Sequence, residues 1–183
     1  MGVNFTALFD YSINISMLQS LPMLLNEKSN FQYLFNVASS LDDVLINNWE
    51  WPQDIVRHRS IEEEFEEEGF VSIAGPGGIV LYFGNHLCEL SSPIRWKAFL
   101  SDQLVQEKVI KISLEFSKIF GLPLYAPDYF CLSSFLFDGN NMDDVKQYLI
   151  RKYGDAANTI NEMWNDLKSS SEYKKYYFET LKS

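Results

Sequence analysis

The stretch 72–84, "SIAGPGGIVLYFG", decides how this chain is to be read. Two runs with strand character flank Gly75, Pro76, Gly77 and Gly78. A turn of this composition either cradles a phosphate or reverses the chain. A phosphate loop needs a helix directly after the glycines, so that its first backbone N–H groups face the anion. Here "IVLYFG" follows Gly78, β-branched and alternating, with no Lys-Ser or Lys-Thr pair behind it. Pro76 supplies one fixed φ and the glycines supply positive φ, so the stretch is a hairpin turn between two strands.

The surrounding sequence extends that hairpin into a sheet. "FVSIAG", "GIVLYFG" and "HLCELSS" make three runs of an antiparallel meander. Residues 3–9 form a further strand, and "LPLYAPDYF" another that ends at Pro127. "NISMLQSLPMLLNE" reads as a helix interrupted by Pro22, and "SNFQYLFNVASSLDDVLINN" as a second one capped near Ser29 or Asn30. Beyond the meander, "SPIRWKAFL" reads as a short helix opened by Pro93. The next helix is capped by Ser101 or Asp102 and carries the stripe Val105, Val109, Ile112, Phe116, Ile119 and Phe120, with Gly121 at its end.

The expected fold is therefore α+β. It is a single domain with an antiparallel sheet of three to five strands packed by helices. Residues 1–141 form the core, and residues 142–183 form a helical C-terminal extension packed on it. Gly154 and the run Ser169-Ser170-Ser171 divide that extension into three helices. Val145 and Leu149 give one of them an apolar side, and Ile160, Met163, Trp164 and Leu167 give another. Those sides serve either the core or a homodimer contact.

Hydrophobic residues make up 46% of the 183 positions and aromatics 15%, enough to fill a sizeable core. No apolar run approaches the roughly 20 residues needed to span a membrane. The first residues lack the basic and apolar regions of a secretory signal. Cys88 and Cys131 are too few for a disulfide framework and read as buried apolar thiols. These features point to a cytoplasmic protein with no membrane role.

The net charge is −10, and it is concentrated. Residues 1–141 hold 18 acidic and 8 basic side chains, whereas residues 142–183 hold 7 of each. Residues 42–68 alone carry ten acids against Arg57 and Arg59. Such a field repels nucleic-acid phosphates and anionic lipid, and it steers basic proteins toward itself. Within the segment, "SIEEEFEEEG" reads as a helix with a capping box from Ser60 to Glu63, anchored by Ile61 and Phe65 and ended by Gly69. A helix of this kind is a solvated face at the least. Just before it, Trp49 and Trp51 stand two apart ahead of Pro52 and read either as core residues or as an aromatic platform.

The expected function is a non-enzymatic acidic protein-binding module. An immunity or inhibitor protein that occludes a basic toxin, for example a nuclease, has this character. The partner-binding residues would be Trp49, Glu50, Trp51, Asp54, Glu62, Glu63, Glu66 and Glu67. The alternative is a small enzyme or ligand-binding domain with a pocket near His86, Cys88 and Asp128, where His86 and Cys88 share one strand face. Neither reading calls for a metal or cofactor. His58, His86, Cys88 and Cys131 lack the spacing of a zinc site. "DGNNMDDVKQYL" fails as a calcium loop, with Asp143 where glycine belongs and Leu149 where glutamate belongs.

Overall fold

A computed structural model describes residues 3–11, 14–27, 48–52 and 60–180. The expected helix over 29–48 lies almost wholly outside them, as does Asp54. The fold is α+β: a six-stranded antiparallel sheet, with seven helices among the described residues. The strands are β1 (Asn4–Asp10), β2 (Val71–Ala74), β3 (Val80–Phe83), β4 (Leu87–Arg95), β5 (Leu124–Pro127) and β6 (Tyr177–Phe178), ordered β2-β3-β4-β1-β5-β6. The helices are α1 (Ile15–Asn26), α2 (Ile61–Glu68), α3 (Trp96–Ser101), α4 (Gln103–Phe116), α5 (Ser133–Phe137), α6 (Met142–Tyr153) and α7 (Ile160–Ser170).

The opening stretch is a hairpin. Val71 pairs with Phe83 and Ala74 with Val80, and Pro76–Gly78 forms a single tight turn with Gly77 at φ 69°. Its outer edge is extended by one rung, because Glu50 and Ala74 exchange both backbone hydrogen bonds at 2.9 and 3.0 Å.

Strand β1 lies between β4 and β5, and its side chains go to two separate cores. Phe5, Ala7 and Phe9 join the larger one, which gathers Leu18, Leu21, Ile73, Leu81, Trp96, Val109, Phe116 and Met163 from the hairpin and from α1, α3, α4 and α7. Leu8 points the other way, into a smaller core built with Leu136 of α5 and Met142, Val145 and Leu149 of α6. The period of two along a strand produces this split. The sheet is thus a middle layer with helices on both faces.

Four local expectations change in the structure. The helix α1 runs through Pro22 for 12 residues instead of breaking there. Pro93 lies inside β4, and α3 begins only at Trp96. Pro93 is tolerated because β3 pairs no further along β4 than Ser91, and the β1 register shifts between Asn4 and Thr6; a bulged, half-free strand end needs no N–H there. The helix α4 ends at Phe116, and Gly121 instead brings the chain against β1, its N–H donating to the Asp10 carbonyl at 3.0 Å. The third helix of the tail is absent among the described residues. After Ser171, at φ 58°, the chain becomes irregular and returns as β6 beside β5.

Helix ends follow the side-chain chemistry expected of them. Asn14, Ser60, Asp102, Asn141 and Thr159 each accept backbone N–H bonds at a helix start, an arrangement worth about 1 kcal/mol per helix. Ser60 and Glu63 complete the capping box, and Gly69 closes α2 in the left-handed region at φ 74°.

Gly75 is required for a steric reason. Its φ of −137° suits any residue, but a Cβ there would lie 2.3 Å from the Trp49 ring. Gly75→Ala should lower stability by about 1–3 kcal/mol in urea denaturation. Combined with Trp49→Leu, it should cost less than the sum of the two single changes. Equal additivity would show that the overlap is relieved elsewhere.

Candidate functional site

Two features collect the charged groups singled out above: the acidic helix α2 and a polar cluster on the sheet face opposite the larger core.

The helix α2 has six glutamates in eight residues and no basic side chain. Ile61 is buried and Phe65 half-buried, so one side of the helix packs on the fold. The carboxylates are not equivalent. Glu62 accepts a bond from Gln19 Nε2 of α1 at 2.9 Å. Glu63 is committed to the capping box, its Oε2 accepting from the Ser60 N–H at 2.7 Å. Glu66, Glu67 and Glu68 are exposed and form the outermost part of the helix.

The tryptophans divide between core and margin. Trp49 is 1% exposed and meets Phe116 edge-on at 5.6 Å. Its backbone is gripped by the last residue of α1: Asn26 Oδ1 accepts the Trp49 N–H and Asn26 Nδ2 donates to the Trp49 carbonyl, both at 2.8 Å. Trp49 is therefore a core residue and offers no ring to a partner. Trp51 packs half-buried against the margin of the same core, and Glu50 is exposed beside the sheet edge.

His86, Cys88 and Asp128 are dispersed. Cys88 is fully buried in the larger core, and that burial, with the Glu89 carboxyl beside it, pushes its thiol well above the ordinary range. His86 is exposed in the turn before β4 and contributes its carbonyl to the Tyr11 N–H at 2.7 Å. Asp128 is exposed after β5. Cys131, expected to be buried, is exposed.

Asp128 instead stands near Glu89, a residue that sequence reasoning passed over. Glu89 pairs with Leu8 across β4–β1 and with Tyr82 across β3–β4, and it is 7% exposed. Its Oε1 accepts from the Thr6 hydroxyl at 2.9 Å, while its Oε2 is buried without a hydrogen-bond partner. Burial pushes the Glu89 carboxyl up, the Thr6 bond pulls it partly back, and the negative charge of Asp128 pushes it up again. The folded environment therefore favours the protonated form of this carboxyl over the ionised one. Among the described residues, no group of three His, Cys, Asp or Glu side chains is placed to hold a metal ion. Likewise, no described helix is long and apolar enough to cross a membrane.

No protein-family model matches this chain, and comparison with curated proteins and with solved structures finds no match.

The Glu89 carboxyl makes a signed prediction. Above its ordinary value of 4.5, the unfolded chain is ionised at this position while the folded protein still holds the proton. Its contribution to stability is present below that value and is lost as pH rises through the raised one. Glu89→Gln keeps an acceptor for Thr6 and cannot ionise. Its melting temperature relative to the native protein should climb as pH rises above the ordinary carboxyl value of 4.5. A difference independent of pH would show that Glu89 ionises as readily folded as unfolded.

Proposed function

We propose that this protein is a binding module that uses its acidic face to cover a basic protein, in the manner of an immunity or inhibitor protein acting on a cationic toxin. The observation that carries this reading is α2, where six glutamates and no cation stand on an eight-residue helix that the fold holds by Ile61 and by a capping box. A short helix so fixed presents its carboxylates at defined positions. Charge-assisted bonds to arginine or lysine gain from that order, because less side-chain freedom is lost on contact. A nuclease or other phosphate-handling toxin exposes cationic groups of this kind on its working surface, and occlusion blocks it without chemistry.

On this reading the contact residues follow from exposure. Glu66, Glu67 and Glu68 form the presenting end of the helix, with Glu50 and the exposed part of Trp51 as further contact candidates at the sheet margin. Glu62 and Glu63 contribute charge while also tying α2 to α1 and to its own first turn. Trp49 supports the surface from below.

Long-range steering acts mainly on the association rate. The test begins with salt-dependent capture of a basic protein from native lysate and continues with stopped-flow association of the recovered partner. The triple change Glu66→Gln, Glu67→Gln and Glu68→Gln spares the capping box. It should slow association about tenfold and flatten its salt dependence, with little change in dissociation. Glu63→Gln should cost up to about 1 kcal/mol of helix capping instead. An unchanged association rate in the triple variant would remove the acidic-face mechanism.

A further inference from the structure

At the opposite end of the sheet from α2, the chain between β5 and β6 encloses a cleft of different chemistry. Its volume is about 500 Å³, within the range small ligands occupy, and its lining is Tyr129, Lys152, Tyr153, Ser171, Glu172, Tyr173 and Lys174. We propose that this cleft binds a small anion carrying a flat aromatic ring, such as a nucleoside monophosphate or an aryl phosphate.

The charge balance of the lining supports an anion. Two lysines face one glutamate, and Glu172 is already ion-paired with Lys174, which leaves Lys152 as the surplus cation. Lys152 is held in place. Its ammonium donates to the Tyr148 hydroxyl at 2.6 Å and sits 5.0 and 5.1 Å from the Tyr148 and Tyr153 ring centres. An ammonium has three donors; Tyr148 takes one and Tyr153 engages a second, which leaves one for a ligand. The tyrosine contacts also push the Lys152 ammonium further above its already high ordinary range, so it remains charged at any ordinary pH.

The ring requirement comes from the walls. Tyr153 stacks on Phe130 at 3.9 Å with the planes 7° apart, and its other neighbour Tyr148 meets it edge-on. That wall is rigid. Tyr129 beside it is 65% exposed, a large aromatic surface left facing water at the mouth of the cleft. The backbone around the cleft is also unusual. Among the described residues, only Cys131 and Ser171 hold positive φ without being glycine, at 55° and 58°. Ser171 lines the cleft, and the Cys131 thiol donates to the carbonyl of Tyr129 at 3.5 Å. Each is the left-handed cap that ends a helical turn, here made without glycine.

The test uses the full chain, with its tyrosines isotopically labelled for NMR, titrated with adenosine monophosphate, phenyl phosphate, adenosine and inorganic phosphate. Adenosine monophosphate or phenyl phosphate should shift Tyr129, Tyr153 and Tyr173 saturably, in the millimolar range or tighter. Adenosine and inorganic phosphate alone should bind at least tenfold more weakly. Lys152→Met keeps the apolar stem at an exposed position, so the circular dichroism spectrum should be unchanged while affinity for the aromatic phosphate falls about tenfold. Tyr129→Ala should weaken it as well. The proposal is overturned if neither aromatic phosphate shifts those tyrosines, if adenosine or phosphate alone matches them, or if both variants bind as the native protein does.

Discussion

Everything in this fold follows from β1 being buried on both faces. A strand flanked by two partners and apolar on alternate sides, with Phe5, Ala7 and Phe9 one way and Leu8 the other, cannot leave either side in water. Parallel sheets commonly meet this demand with crossover helices. Here an entirely antiparallel sheet meets it, with α1, α3, α4 and α7 closing one side and α5 and α6 the other. The second layer has to come from late in the chain, since residues 133–153 are the only described helices that reach the Leu8 face. The segment from 142 onward is accordingly structural: Val145, Leu149 and Met163 are buried within this chain.

The charged groups sort according to that architecture. The acidic residues of α2 stand outside the helical layer, where water screens them. Glu89 lies on the face that α5 and α6 cover, because the period of β4 that sends Cys88 and Leu90 into the larger core sends Glu89 to the opposite side. A carboxyl in that position keeps its proton or weakens the fold. The protein thus carries two kinds of acidity: one available for electrostatic attraction, the other locked into the stability balance.

Periodicity and turn chemistry, both local, sufficed for the hairpin at 71–83, the capping box at Ser60, the Asp102 cap and the strand at 124–127. The α+β class followed from their alternation. What sequence reading lost was non-local. Pro93 looks like a helix start until the bulge against β1 shows a strand end with no hydrogen bond to give. Tyr177 and Phe178 sit in a lysine- and tyrosine-rich tail that suits a helix equally well, and only β5 beside them selects a strand. For the sites, the glutamates of α2 were visible as a charge run, while the burial of Trp49 depends on Gly75, 26 positions away. Glu89 reads as a solvent-facing residue of an alternating strand; that its face is a buried one depends on Leu8, 81 residues earlier, and on a helical layer that begins more than 40 residues later. The Lys152 cleft is likewise assembled from three segments, none of which carries a motif.

The position of β1 also governs how the molecule comes to be made. Thr6 bonds Glu89 across 83 intervening steps of chain, and Asn4 meets Arg95 across 91. A central strand is therefore separated by more than 70 residues of chain from β4, the nearer in sequence of its two partners. Contacts of such separation fold slowly, since the loop must close before any pairing rewards it. During that interval Phe5, Leu8 and Phe9 form an uncovered apolar strand with two open edges. An apolar strand in that state is open to edge-to-edge association until β4 and β5 pair on either side of it.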